Sequence, residues 1–494
     1  MDRAIGNHMY YGFTRSICPE CKELVNAQLL IRDEQLIMRK FCPQHGHSET
    51  LIATNVDWVS NSRTAIKPPD LPFELSSKVE HGCPQDCGLC PDHQQHTCFA
   101  QVEITNVCDL DCPICYTPPH ATRTWYLGRE RFEWMIDQAV AREGLLNQLA
   151  ITGGEPTLHP EILDFIRLAK RRNIEGVLLF TNGNRIARDE EFARALADIR
   201  PTIYLSFDGF NPEVYKKTRG KDLLPLKLQC LERLTKYNIS TILVPAIMKD
   251  INDDQLGPIL DYLFKTPNVL TVQIQPVFAL GGCSEMGLSS LDRMTLTGVM
   301  EAIETQTHGQ VKLSDFICVP CHHPLCGSTS YILMDEQNQP LPLTRFVDVR
   351  QYLDYVTNRS RADMTDLFQL SRSAVEAIAS ASAVLGTESG RVEESIMQLL
   401  SSTNCCGLDT PPRAFRKHMK QISVHAFQDT YSWDQNRAQK CCVHTLLPDG
   451  RVIPFCNYNI FHRNTGDAWT YQYQLQQFGE TYKMGQAKEV TDAA

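Results

Sequence analysis

The sequence predicts an α/β fold built on a partial (β/α)6 TIM-like barrel with cysteine-rich extensions at both ends. Three observations carry this. Between residues 99 and 305, short apolar runs alternate with longer amphipathic ones in six unbroken strand–helix units. That pattern belongs to a parallel sheet with right-handed crossovers, and six units are too few for a complete eight-unit barrel. Polar motifs follow four successive strand candidates, where parallel sheets gather their chemistry. Cysteines cluster at short spacings before, within and after this region, as metal ligands do.

Residues 1–98 read as a loop-rich region organised by metal. Cys18 and Cys21 in CPEC, the strand-like ribbon AQLLIRDEQLIMRKF, and Cys42 in CPQHGH have the arrangement of a zinc-ribbon or rubredoxin-type knuckle. His45 would complete a tetrahedral site; otherwise it is a solvated turn residue and the fourth ligand lies elsewhere. A proline-rich connector, KPPDLPFELSS, leads to Cys83, Cys87 and Cys90 in HGCPQDCGLC.

In the region 99–305 the strand candidates are FAQVEIT, QLAIT, GVLLFT, TIYLSF, STILVPAI and LTVQIQPV. Helix candidates lie at 128–142, 160–172, 189–198, 222–237 and 253–266, with another near 290–304. Cys108, Cys112 and Cys115 follow the first strand, GGEP the second, TNG the third, and Ser206 with Asp208 the fourth. Residues 306–464 carry Cys318, Cys321 and Cys326, an alanine-rich helical stretch at 373–386, Cys405 and Cys406, and then Cys441, Cys442 and Cys456. LPDGRVIPF has Asp-Gly between apolar flanks, a hairpin signal that would bring Cys442 and Cys456 together. The tail, 465–494, is polar and peripheral.

Composition narrows the function. The 494 residues carry a net charge of -10, from 48 basic and 58 acidic residues. This leaves no basic footprint for nucleic acid and no polybasic cluster for anionic lipid. No run approaches eighteen apolar residues, and MDRAIGNHMYYGFTRS lacks a signal-peptide core, so a cytoplasmic protein without a transmembrane segment is expected. Peripheral membrane contact has no signature and stays open. Twenty cysteines in a reducing compartment point to metal rather than disulfides, although Cys230 and Cys283 suit the role of small buried hydrophobes.

The triplets 83/87/90 and 108/112/115 share the spacing C-x3-C-x2-C. Three thiolates on a four-iron cluster leave one iron open to a small molecule.

That spacing after the first strand of a six-unit βα region, with GGEP after the second, resembles the radical S-adenosylmethionine superfamily over about 99–305. The resemblance implies that Cys108, Cys112 and Cys115 hold a [4Fe–4S] cluster whose open iron is chelated by S-adenosyl-L-methionine. One-electron reduction would release a 5′-deoxyadenosyl radical that abstracts hydrogen from an unactivated carbon. It further implies that Gly153, Gly154, Glu155 and Pro156 receive the cofactor's ammonium, and that Ser206 and Asp208 bind ribose or carboxylate. Thr181, Asn182, Gln273 and Gln275 are weaker cofactor candidates. Ile114 precedes the last cysteine, where the superfamily often has an aromatic residue, and Tyr116 follows it as a candidate for adenine packing. An external reductase such as ferredoxin or flavodoxin is implied as partner.

The order CPxC, CPxHG, HGCPxDCGLC, PCHHPLC and PDGRVIPFCNYN resembles, more narrowly, the subfamily of the archaeal tetraether lipid synthase, which includes a member discussed as a pterin methylase. This implies a mononuclear iron or zinc site at Cys18, Cys21 and Cys42, and one or two auxiliary [4Fe–4S] clusters. Their ligands would be Cys83, Cys87, Cys90 and Cys98 for one, and Cys321, Cys326, Cys442 and Cys456 for the other, with Cys318, Cys405, Cys406 and Cys441 left over. The triplet at 83–90 is then closed and the one at 108–115 open. The favoured reaction is carbon–carbon bond formation on lipid alkyl chains. Radical methylation of a pterin-like small molecule is the alternative, peptide maturation a third reading, and an electron carrier the non-catalytic one.

Overall fold

The computed structural model describes residues 7–68, 70–117, 125–335, 338–345, 419–465 and 468–469. The helical stretch expected at 373–386, Cys405 with Cys406, and nearly all of the tail lie outside them.

The ribbon read from the sequence forms a four-stranded antiparallel sheet: β1 (Met9–Ile17), β2 (Leu24–Arg32), β3 (Gln35–Cys42) and β4 (Gly46–Ala53), in the order β1-β2-β3-β4. Its turns hold the cysteines at one end. Buried Lys40 ties it to the C-terminal region, its Nζ donating to the carbonyls of Ile17, Thr430 and Tyr431 at 3.0, 3.3 and 2.7 Å. A lysine buried to 2 % exposure is tolerated because all three N–H groups find acceptors.

Six units follow as expected. After α1 (Val56–Ser62) come β5 (Phe99–Glu103), α2 (Arg129–Glu143), β6 (Leu146–Thr152), α3 (Ile162–Lys170), β7 (Ile174–Thr181), α4 (Asn184–Arg188) and α5 (Glu190–Ile199). Then come β8 (Thr202–Ser206), α6 (Pro212–Arg219), α7 (Leu224–Lys236), β9 (Thr241–Val244), β10 (Ala246–Ile247), α8 (Leu256–Lys265), β11 (Val269–Pro276) and α9 (Leu296–Gln306). Strands β5 to β9 and β11 pair in parallel in sequence order. All seven residues of β6 are buried, as a central parallel strand covered on both faces requires. Within 99–305 the helix candidates include neither α4 nor α6, and α1 lies in the stretch expected to be loop-rich. The signal for α6 was present: Asn211 caps it by accepting from Glu213 N, Pro212 opens it, and Gly220 in the left-handed region ends it.

The C-terminal region joins the same sheet. After β12 (Ile317–Cys318), β13 (Gly327–Met334) and β14 (Pro340–Pro342), β15 (Met419–His425) pairs in parallel with β11. Further on, β16 (Val443–Leu446) pairs in parallel with β5, and β17 (Val452–Pro454) closes an antiparallel hairpin on it. Eight parallel strands thus run β15-β11-β9-β8-β7-β6-β5-β16. The two edges of the six-stranded core are each covered by a C-terminal strand, which removes exposed strand edges.

Candidate active site and metal centres

Cys108, Cys112 and Cys115 sit in the loop after β5 and line a cavity of about 420 Å³ at the carboxyl ends of the parallel strands. The loop is tightly fixed. Cys115 N donates to Cys112 O at 3.0 Å and Gly282 N to Cys115 O at 2.9 Å. Burial, with the charges of Glu155 and Asp109, pushes the Cys108 thiol up to about 12, and burial raises Cys112 as well. Thiols placed this way ionise when a cation arrives to bind them.

The GGEP segment packs directly against this loop. Gly154 N donates to Thr105 O at 2.8 Å and Glu155 N to Val107 O at 2.7 Å. A Cβ at Gly153 would lie 2.2 Å from Thr105 O, and one at Gly154 2.3 Å from Val107 O. Only glycine permits that approach. Gly153, Gly154, Glu155 and Pro156 all line the cavity. The Glu155 carboxylate, however, accepts from Thr157 N, Thr157 Oγ1, Thr181 Oγ1 and Asn182 N at 3.1, 2.5, 2.8 and 2.7 Å. Its side chain locks the TNG loop onto GGEP. Asn182 in turn donates to Asp109 Oδ1 at 2.6 Å.

Ser206 lines the cavity, its Oγ accepting from Lys227 Nζ at 3.0 Å. Asp208 is fully buried and is not among the lining residues. It holds the Arg219 guanidinium through two bonds, 2.6 and 3.0 Å, and accepts from Ala246 N. Burial alone would raise its pKa, but Arg219 keeps the carboxyl below its ordinary value. Arg219 itself faces the cavity beside Cys112, so against the expectation for Asp208 the structure sets its carboxylate back from the cavity, where it holds a cation that lines it. Sequence reading missed both Arg219 and Lys227, yet Lys227 stands at a core-facing position between Leu223 and Leu231, an informative place for a charge. Tyr116 lines the cavity edge-on to Phe455 at 5.6 Å, and Gln275 donates to Tyr204 OH at 3.3 Å.

In the N-terminal sheet, Cys18, Cys21, Cys42 and His45 converge, with their ligand atoms within 4.8 Å of one another. Cys21 Sγ is 3.9 Å from Cys42 Sγ, and His45 Nδ1 is 3.5 Å from the sulfurs of both Cys18 and Cys42. Four ligands around one ion with bonds of about 2.3 Å to sulfur give edges of this size.

Comparison with known proteins matches both regions of the chain. Residues 102–263 match the radical SAM superfamily, and residues 10–54 match the HMPTM N-terminal zinc ribbon domain. A 7,8-dihydro-6-hydroxymethylpterin dimethyltransferase of Methanocaldococcus jannaschii is 30% identical over 96% of this chain and 98% of its own length. The chain belongs to the radical SAM superfamily. At this identity and coverage it shares its family with that archaeal protein. A probable GTP 3′,8-cyclase of Thermococcus kodakarensis is 28% identical over 34% of the chain and 54% of its own length. Among solved structures, Streptococcus suis SuiB bound to the precursor peptide SuiA aligns with a TM-score of 0.38 and 16% identity, over 44% of this chain and 46% of that one.

The radical SAM cofactor fits what is present: three half-buried thiols, a glycine-walled recess and a guanidinium at one cavity. Auxiliary ligands fall differently from the expected partition. Cys98 groups with Cys321 and Cys442, their sulfurs within 4.8 Å, rather than with Cys83, Cys87 and Cys90. The reason is strand register. Phe99 pairs with Val443, so the preceding residues Cys98 and Cys442 stand side by side, and Cys98 N donates to Cys442 O at 3.1 Å. The hairpin also forms, and Cys326, Cys441, Cys442 and Cys456 share a small chamber where Arg437 Nε donates to Cys326 Sγ at 3.3 Å. Cys83 and Cys87 are pushed up by burial, and Asn457 Nδ2 donates to Cys87 Sγ at 3.0 Å. Cys230 and Cys283 are buried; Cys283 donates to Ile114 O at 2.9 Å.

Proposed function

We propose that this protein is a radical SAM methylase of a pterin-like heterocycle. The observation that carries the reading is the match to the dihydropterin dimethyltransferase along almost the entire length of both chains, 96% of this one and 98% of the other. The cavity supports it. Its floor carries Phe180 stacked on Tyr204 at 4.0 Å with 5° between the planes, and carboxamides of Gln101, Gln148, Gln273 and Gln275 stand around them. Such a lining suits a flat ring edged with amide-like groups.

Carbon–carbon coupling of lipid chains, favoured from the sequence, is named by neither of the two relatives above. A lipid substrate calls for a wide apolar channel, and residues 346–418, which follow the described strands over the cavity, lie outside the described residues. Among the described residues no helix is long and apolar enough to cross a membrane.

Cys108, Cys112 and Cys115 would hold the cluster, with Gly153, Gly154 and Ser206 lining the place of S-adenosylmethionine. When bound, this pair supplies a hydrogen-abstracting 5′-deoxyadenosyl radical after one electron arrives from an external reductant. The chain's own contribution is placement and shielding. Arg219, fixed by Asp208, offers a guanidinium to a carboxylate in the cavity. Glu103 and Arg463, buried at 5 % and 2 % exposure, pair with each other through two bonds, so neither presents an uncompensated charge to the substrate. Tyr116, Phe278 and Phe427 form an apolar wall that excludes water from a reactive intermediate.

The test is expression of the chain in an anaerobic host followed by mass spectrometry of its pterins. Pterins carrying one or two added methyl groups are expected, and they should be missing with Cys112→Ala. An unchanged pterin pool alongside newly coupled alkyl chains would return the assignment to lipid chemistry.

A further inference from the structure

His322 is 7 % exposed, and neither ring nitrogen has a hydrogen-bond partner among the described residues. Buried polar side chains almost always have partners, so two orphaned nitrogens on one ring mark a group whose partner lies beyond the described residues. The ring stands in the wall between two spaces: the 420 Å³ cavity that holds the three cluster cysteines, and the chamber of about 20 Å³ among Cys326, Cys441, Cys442 and Cys456. The small chamber is walled by cysteine sulfurs, which suit a metal group rather than an organic ring. The large one admits a ring system.

We infer that His322 is a substrate-contacting residue, one of its ring nitrogens pairing with the polar edge of the heterocycle in the large cavity. This rests on the pterin reading above. A neutral imidazole nitrogen donates or accepts according to its tautomer, and a pterin's lactam and amino groups present both kinds of partner. The surroundings are built for this placement. Gly327 faces the ring so closely that a Cβ there would lie 2.4 Å from His322 Nδ1. The His425 ring lies across it, centroids 5.0 Å apart at 73°, and steadies it by packing. His425 follows Val424, the β15 partner of Ile274, and Gln275 follows Ile274, so Gln275 stands on the same side of the cavity.

The test measures 6-hydroxymethyl-7,8-dihydropterin binding by fluorescence, with cluster-loaded protein and S-adenosylmethionine present. His322→Ala should weaken pterin binding roughly ten- to a hundredfold, the cost of leaving buried substrate groups unpaired, while S-adenosylmethionine affinity and iron content hold. His322→Gln should recover much of the loss. Gly327→Ala should reproduce the defect by displacing the ring, and should add nothing in a His322→Ala background. Wild-type protein that binds pterin with both variants equally tight overturns the inference alone. Wild-type protein that binds no pterin overturns it together with the methylase reading. A nitrogen coupling to an auxiliary cluster in electron–nuclear double resonance that vanishes in His322→Gln would make His322 a metal ligand and overturn it too.

Discussion

Asp208 and Arg219 form one ion pair in which the buried carboxylate is set back and the guanidinium lines the cavity. Arg219 could not stay beside Cys112 if its charge were uncompensated, because burying a lone guanidinium is costly. Asp208→Asn keeps the shape and removes the charge. We expect it to leave the chain folded, yet to weaken S-adenosylmethionine binding by roughly tenfold or more, consistent with loss of a buried charge partner; equilibrium binding by calorimetry is the check, and unchanged affinity would remove Arg219 from the site. Several site residues were legible as sequence. The triplet and GGEP announce themselves by spacing. Arg219 and Lys227 do not, since a cation in a helix reads as solvated surface until the fold shows what lies opposite.

At the level of elements, the six strand–helix units were readable because each strand is a compact apolar run and each helix shows amphipathic periodicity. Pairings between distant segments were not. Cys98 meets Cys442 only because β5 recruits β16 across more than three hundred residues, and no local pattern encodes such a pairing. A second long-range clamp joins the loop after β11 to the loop after β15. Asp429, fully buried, accepts from Ala279 N at 2.8 Å, from Arg293 at 2.6 Å and from Ser432. Burial would raise its pKa, but the Arg293 guanidinium holds the carboxyl well below the ordinary carboxylate range. Its folded pKa is depressed, so the stability it contributes is fully present above the unfolded value near 4 and drains away as pH falls below that. Hydrogen exchange should therefore show the 277–293 and 426–434 segments opening as pH drops below about 4. Asp429→Asn should open them at neutral pH, and equal protection in the variant would refute the clamp.

Across the whole molecule, metal-binding parts surround one catalytic barrel rather than forming separate modules. The ribbon docks through Lys40 and through Thr14, whose hydroxyl donates to Asp434 at 2.8 Å. Cys441 and Cys442 stand just before β16 and Cys456 just after β17, so the hairpin that covers one edge of the parallel sheet brings them to the residues around Cys98. The central claim is that Cys108, Cys112 and Cys115 hold the open cluster whose radical acts on a pterin. It is tested most directly by incubating reconstituted protein anaerobically with reductant, S-adenosylmethionine and ring-deuterated 6-hydroxymethyl-7,8-dihydropterin. The account predicts 5′-deoxyadenosine carrying deuterium from the pterin, with none formed by Cys112→Ala. Deuterium-free 5′-deoxyadenosine, or cleavage that persists in the variant, would contradict it.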